Sequence, residues 1–236
     1  MATKLYLHNV TNNQPGTYPS GEQSNFPSYG GSPPRSYSMS TASTLRKMNT
    51  TIGSGQVSPT FISLDNTIDT QEVFLRMWTS PPLDGNQTVG GGNFTLNLAH
   101  AQSNNNMNLW RYGVNIYVWR PSTGTKIGTI KAVLTINSII GTEPSSASSE
   151  RVWHVSGTTS SAISAQNGDV VILELYVDFI PGMSTSYTGT LYYDGTTENS
   201  TVNASVSNHA SYIQFAENLV FQSPPSNRRV IIINEP

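Results

Sequence analysis

The chain has 236 residues and a formal net charge of −2, and only 11% of its residues are charged. So small a net charge gives no basis for binding nucleic acid through its phosphates, and a chain without cysteine forms neither disulfides nor thiolate metal sites. The first residues, MATKLYLHNV, lack the apolar run of a signal peptide, and no stretch of about 18 apolar residues occurs. We therefore expect neither a secretory leader nor a membrane span.

The first quarter of the chain is predicted to be an extended arm. Residues 4–8 (KLYLH) have the composition of a short strand, but residues 9–40 are rich in Gly, Pro, Ser and Asn, which fit neither a helix nor a buried strand. Such a segment is either disordered or laid across a neighbouring subunit, and its aromatic side chains favour the second alternative. We predict an arm over residues 1–60 that contacts a neighbour through aromatic residues, namely Tyr18, Phe26, Tyr29 and Tyr37.

Regular structure is predicted from residue 61 onward. Eight segments have the apolar and polar alternation of half-buried strands, and they are residues 72–79, 93–99, 109–120, 127–138, 151–156, 169–179, 187–193 and 211–221. Because each such strand buries one face, the pattern predicts antiparallel sheets packed face to face. We expect an all-β fold, a jelly-roll-like antiparallel β-sandwich over residues 61–223, with an immunoglobulin-like sandwich as the alternative.

The last residues, 224–236, are predicted to be a β-prone tail. After two prolines the chain continues as RRVIIIN over residues 228–234. An apolar strand of this kind can add to the sheet edge of a neighbouring molecule or pair within its own sheet. The tail therefore contributes three further interface candidates, which are Ile231, Ile232 and Ile233.

Two acidic residues, Glu174 and Asp178, share one face of the strand predicted over residues 169–179. They point away from the apolar face of that strand, so we expect a solvent-facing or interface pair. Their Cα atoms would lie roughly 13 Å apart, at about 3.3 Å per residue. Only bent side chains could bring the two carboxylates to the separation that glycosidases use.

No other pattern indicates catalysis or metal binding. The four histidines, His8, His100, His154 and His209, lie far apart in sequence, and none has a carboxylate at ligand-like spacing. No serine has a G-x-S-x-G setting, and the glycines at 90–92 are not followed by the lysine of a phosphate-binding loop. We expect no metal, no cofactor and no enzymatic activity.

Two short motifs resemble those of structural proteins from tailed bacteriophages and cyanophages. The first is the turn RPSTG at residues 120–124, and the second is a later G-D-x-x-x-x-E formed by Gly168, Asp169 and Glu174. The resemblance covers residues 72–221. It implies a jelly-roll-like virion component, either a capsid decoration (cement) protein or a neck or tail protein, and it brings no catalytic residues with it.

Several expectations about role follow from this resemblance. The partners would be the major capsid protein or other virion proteins, the location would be the virion, and the chain would form a homo-oligomer, of which a trimer is one form. Neither nucleic acid nor a membrane is expected as a partner. Tyr117 and Trp119 would lie in a protein interface, although the same residues could fill the edge of the sandwich or stack on sugars.

Two other classes of function remain open at the level of sequence. A carbohydrate- or receptor-binding module of a phage tail, a neck or a cell surface would present Trp119 as an exposed platform in a groove. A glycan-cleaving enzyme would require two carboxylates that face each other, for which Glu174 and Asp178 are the candidates.

Overall fold

A computed structural model describes residues 2–19, 45–62, 71–102, 110–133, 150–158, 162–179, 188–201 and 204–223. These residues form thirteen strands and no helix, so the prediction of an all-β fold is confirmed. Within the same residues there is accordingly no helix long and apolar enough to cross a membrane.

The strands follow one another along the chain with short and long connections. They are β1 (Thr3–Thr11), β2 (Arg46–Asn49), β3 (Thr60–Ile62), β4 (Gln71–Thr79), β5 (Gln87–Val89), β6 (Asn93–Gln102), β7 (Trp110–Arg120), β8 (Thr125–Val133), β9 (Arg151–Thr158), β10 (Ile163–Ala165), β11 (Val170–Phe179), β12 (Thr188–Tyr192) and β13 (Tyr212–Phe215). Eleven of them form one sheet, and β5 and β10 pair with each other. Among the described strands every pairing is antiparallel except that of β2 with β4.

The large sheet folds back on itself, so that two groups of strands enclose one core. One group runs β4–β11–β7–β8, and the other contains β1, β3, β6, β9, β12 and β13, while β2 pairs with a strand of each group. The core takes Leu173 and Leu175 from β11, Ile116 from β7, and Leu96 and Leu98 from β6, and all five are fully buried. These residues alternate along their strands, which is why the sequence pattern located them.

β8 lies at one end of the large sheet and pairs, among the described strands, with β7 alone. Its register against β7 shifts twice, between Ile116 and Tyr117 and between Val118 and Trp119. At each shift β8 has one residue more than β7, and these two extra residues, Ile130 and Ile127, pack against the core. The strand thus carries two bulges.

Two parts of the predicted arm belong to the sandwich. β1 pairs with β13 on one side and with β2 on the other, and its residues Leu5 and Leu7 are fully buried in the core. The arm predicted over residues 1–60 is therefore corrected here. The alternating leucines make β1 a half-buried strand, and the Gly- and Pro-rich composition of the segment after it does not change this.

What remains of the arm is an insertion between β1 and β2. The backbone N–H of Asn12 donates to the carbonyl of Leu45 at 2.8 Å, so the two ends of residues 12–45 meet. Residues 20–44, which include Phe26, Tyr29 and Tyr37, lie outside the described residues. The same holds for residues 224–236, with Ile231, Ile232 and Ile233.

The strand predicted over residues 211–221 is shorter than expected. β13 ends at Phe215, and the chain after it bends back over the start of β1. There the N–H of Thr3 donates to the carbonyl of Glu217 at 2.9 Å, and the N–H of Leu219 donates to the Thr3 hydroxyl at 2.6 Å. The backbone hydrogen bonds of this stretch thus go partly to the start of β1. Others join residues 82–84, where the N–H of Asp84 donates to the carbonyl of Val220 at 2.9 Å.

Candidate functional site

The two sequence motifs meet at one end of the β7–β11 pair. Arg120 is the last residue of β7, and Asp169 directly precedes β11, which places the two side chains opposite each other. Arg120 donates from Nε to Oδ1 of Asp169 at 2.8 Å and from Nη2 to Oδ2 at 2.9 Å. The backbone N–H of Gln166 donates to Oδ2 as well, at 2.8 Å. This bidentate ion pair fixes the β7–β8 turn against the turn before β11.

Glu174 is buried instead of solvent-facing, which corrects the prediction for this residue. It is only 1% exposed, and it accepts three hydrogen bonds from side chains of β7 and β11. Tyr117 donates to Oε1 at 2.7 Å, while Asn115 and Tyr176 donate to Oε2 at 2.9 and 2.8 Å. The side chain of Asp178 lies outside the described residues. The bonds to Glu174 therefore bind β7 to β11 on the side that faces away from the core.

Burial has a second effect at this carboxylate. Desolvation raises the pKa of Tyr117 far above the ordinary tyrosine value, and the charge of Glu174 and the hydrogen bond to it add to the rise. Tyr117 therefore keeps its proton and remains a donor to Glu174 throughout the range of pH in which proteins fold.

Apolar residues surround this carboxylate and form what we name the outer cluster. Its buried members are Leu45, Met77, Tyr117, Val170, Ile172 and Tyr176, with Tyr18 and Trp119 packed against them. All of them except Leu45 and Tyr18 lie on the face of β4, β7 and β11 that points away from the main core. Both faces of β11 are therefore buried, and something other than the opposing strands has to cover the second one.

That cover is residues 12–19, which we name the strap. The N–H of Thr17 donates to the carbonyl of Pro121 at 2.8 Å, and Nε1 of Trp119 donates to the carbonyl of Thr17 at 2.7 Å. Tyr18 packs on the outer cluster and donates from its hydroxyl to Oε1 of Gln14 at 3.0 Å. The strap thus runs from the end of β1 to the β7–β8 turn.

Three of the predicted interface residues come together here within a single chain. Tyr117 is 1% exposed, whereas Tyr18 and Trp119 are partly exposed. The rings of Tyr117 and Trp119 meet edge to face, with their centroids 6.3 Å apart. The sequence pattern did not single out Asn115 or Tyr176. The signal was the apolar character of Ile172 and Tyr176, which share the face of Glu174 and indicate that both faces of β11 are buried.

A second polar cluster joins β1 to the chain that follows β12. His8 bonds through Nδ1 to Oδ1 of Asp194 at 2.8 Å and through Nε2 to the carbonyl of Thr51 at 3.0 Å. Arg76 bonds to the hydroxyl of Tyr193 and to Oδ1 of Asn9, and its burial lowers its pKa. Since each of these contacts links separate segments of the sandwich, this cluster serves its architecture.

A third polar cluster lies on the outer face of β1 and β13. Glu198 accepts hydrogen bonds from Lys4 Nζ at 2.6 Å and from the hydroxyl of Tyr6. Burial opposes its ionisation, but these two bonds outweigh that effect and lower the pKa of Glu198. His209 is fully buried beside it, with Nε2 2.8 Å from the carbonyl of Asn199, and burial lowers its pKa.

Within the described ranges, no three His, Asp or Glu side chains come together as the ligands of a metal ion would. His8 and His209 lie in the separate clusters just described, and His100 is buried in β6. The side chain of His154 lies outside the described residues. The described polar groups instead tie strands and loops to one another.

Comparison with known proteins gives no family for this chain. No protein-family model matches it, and neither does any curated protein. Among solved structures, a protein described as "CBM4 structure and function" is 12% identical over 57% of this chain and 78% of its own, with a TM-score of 0.26. A CocE/NonD family hydrolase from Staphylococcus aureus is 13% identical over 93% of this chain but only 36% of its own, with a TM-score of 0.36. A structure of infectious bursal disease virus, Gx strain, is 14% identical over 69% of this chain and 39% of its own, with a TM-score of 0.19. At such TM-scores none of these likenesses carries an argument about function.

Proposed function

We propose that this chain is a non-enzymatic structural protein of a bacteriophage virion, which decorates the capsid and stabilises it by binding across neighbouring subunits. The motifs at residues 120–124 and 168–174 support this role, because they resemble those of phage structural proteins and their side chains make architectural contacts here. Its partners would be the major capsid protein, other virion proteins and further copies of itself.

The observation that carries the proposal is the insertion at residues 12–45. Its two ends meet at the bond between Asn12 and Leu45, and the strap at its start is fixed on the β7–β11 pair. Both ends of this long segment, which contains Gly, Pro and Tyr, are fixed on the sandwich. The segment can therefore reach a neighbour while the strands of the sandwich keep their own contacts. Binding would then bury surface across subunits without a larger core.

The low charge of the chain is consistent with a protein that functions as part of an assembly. Only 11% of the residues are charged, and a surface so poor in charge favours association over a monomeric state. Decoration requires only such passive burial of surface, with no chemical step.

The proposal is tested by sedimentation with phage capsids that lack their decoration protein. Deleting residues 1–60 would remove β1 and β2, so the informative variant instead replaces residues 20–44 with a Gly/Ser segment of equal length and keeps the strap. We expect the full chain to saturate the capsids and the variant to bind poorly. If the full chain does not bind capsids, the decoration role is wrong. If both bind equally, the insertion has no part in it.

The alternative function, a carbohydrate- or receptor-binding module, depends on Trp119 as a platform. Trp119 is partly exposed, but its Nε1 already donates to Thr17 and its ring meets Tyr117. A ligand would therefore have to use the remaining face of the indole. Glycan binding that disappears in Trp119→Ala but survives in the Gly/Ser variant would favour this alternative over decoration.

A further inference from the structure

The outer cluster depends on a cover that is not part of the sheet. Residues such as Met77, Ile172 and Tyr176 are buried although they face away from the main core. The strap and Leu45 provide the cover, and both belong to the insertion between β1 and β2. The apolar face is therefore a docking surface that an irregular segment of this chain already occupies.

The strap is held on this surface mainly at its far end. Both hydrogen bonds to the β7–β8 region involve the backbone of Thr17, and Tyr18 beside it supplies the apolar contact. The strap does not join the sheet as a strand, and Gly16 within it has a φ of +126°, which favours glycine. Contacts of this kind need only a backbone that bends at Gly16 and the aromatic side chain of Tyr18.

We propose that this surface also binds the strap of a second copy of the chain, so that neighbouring copies interlock by exchanging straps. This inference rests on the proposed function, because it names the partner through which an assembled protein would use the insertion. The second copy is the partner whose segment has, by identity, the backbone and the Tyr18 side chain that the surface already accepts.

The geometry permits such an exchange. The two hydrogen bonds of Thr17 and the packing of Tyr18 would all be made again in the exchanged form. Exchange therefore costs none of these contacts and is favoured where copies are held close together. From Asn12 to Thr17 an extended chain spans roughly 17 Å, at about 3.3–3.6 Å per residue. β1 and β2 can therefore stay in their own sheet while the far end of the strap moves to a neighbour.

The chain contains no cysteine, which allows a direct test by disulfide formation. A Cβ atom built on Gly124 lies 3.2 Å from Cβ of Thr17, close to the separation of about 3.5–4.5 Å found in disulfides. Two single variants, Thr17→Cys and Gly124→Cys, are mixed, one of them with a size tag. They are oxidised at the concentration at which the protein assembles, and non-reducing gels then report the products.

We expect a tagged heterodimer that a reducing agent separates into monomers. It should be several-fold more abundant than in a control mixture of Thr17→Cys with Thr196→Cys. Thr196 is exposed and lies in the segment after β12, so a cysteine there measures how much disulfide forms through random collision of two chains. The exchange is overturned if the yield of heterodimer is no higher than in the control. In that case the Thr17→Cys/Gly124→Cys double variant should form its disulfide only within single chains.

Gly124 has a φ of +66°, so cysteine there is strained. If that variant does not fold, Pro121→Cys replaces it, because the Pro121 carbonyl accepts the hydrogen bond of Thr17. Sedimentation of the same proteins with capsids distinguishes the exchange of straps from the decoration role. Capsid binding without heterodimer overturns the exchange alone, and heterodimer without capsid binding supports the exchange while it overturns decoration.

Discussion

The two outer faces of the sandwich are both covered by irregular segments of the chain, but they are held by different chemistry. The strap is fixed on β7 and the β7–β8 turn through aromatic packing and through hydrogen bonds from two uncharged donors, the N–H of Thr17 and Nε1 of Trp119. The segment after β12 covers β1 and β13 through the ion pair of Lys4 with Glu198 and through the buried ring of His209. The strap should therefore stay in place in acid and at high salt, whereas the segment after β12 should be loosened by both.

The largest effect is expected where the strap face holds its carboxylate. Glu174→Ala would leave the donors of Asn115, Tyr117 and Tyr176 buried without their acceptor. We expect the free energy of unfolding to fall by about 3–5 kcal/mol in urea titrations. Glu174→Gln, which keeps one acceptor oxygen, should lose less, about 1–3 kcal/mol. A loss below about 1 kcal/mol in the alanine variant would show that the carboxylate does not hold the two strands together.

A smaller effect is expected at the contact between strap and sheet. Trp119→Phe removes the Nε1 donor to Thr17 and should cost about 1 kcal/mol, whereas Trp119→Ala also removes the ring and should cost about 2–3 kcal/mol. Hydrogen exchange should accelerate at the Thr17 amide in both variants and stay unchanged in β6. Unchanged protection of Thr17 in the alanine variant would contradict the role given to Trp119.

Mild acid should act on the other face. Because burial lowers the pKa of His209 from its ordinary 6.5, the unfolded chain takes up this proton first as the pH falls. The free energy of unfolding should therefore decrease once the pH drops below about 6.5. Unfolding curves at several pH values between neutral and mildly acidic should show a weaker decrease in His209→Gln. An equal decrease in both proteins would assign the acid sensitivity to other groups.

Glu198 extends this sensitivity to lower pH. Its pKa is lowered in the fold, so its stabilising contribution is present above the ordinary value of 4.5 and is lost as the pH falls through the folded value.

The smallest effect is expected for the ion pair on the same face. The side chains of Lys4 and Glu198 are 27% and 37% exposed, so water and salt screen their attraction. Lys4→Ala should cost about 0.5 kcal/mol at low salt, and the difference from the parent should shrink at high salt. A difference that is independent of salt would point to the packing of Lys4 on the Tyr212 ring, 4.4 Å from its Nζ, instead.

Local alternation in the sequence was enough to predict the core and the all-β class. The alternation over residues 169–179 places Leu173 and Leu175 on the face opposite Glu174, and both are fully buried in the core. The spacing also placed Glu174 on the opposite face, but it could not show that this face has a cover. The strap lies far from β11 in sequence, and periodicity within one strand carries no information about such a contact.

The arm and the two motifs show the same limit. The composition of residues 9–40 predicted no strand there, but β1 continues to Thr11. Its place in the sheet is determined by the short leucine pattern that precedes the Gly- and Pro-rich segment. The contact of Arg120 with Asp169 was not predicted either, although both residues stood in the motifs. The pair forms only because β7 and β11 are neighbours, and pairing between distant strands is a property of the whole fold.

The two bulges in β8 have a consequence for how copies of the chain can join. A regular edge strand offers an evenly spaced row of backbone donors and acceptors on which a foreign strand can grow. In β8 the row is interrupted at Ile127 and Ile130, and the strand also carries Lys126 and Lys131, whose charges disfavour a like strand beside it. Fibre growth by edge-to-edge addition therefore has no regular template at this end of the sheet.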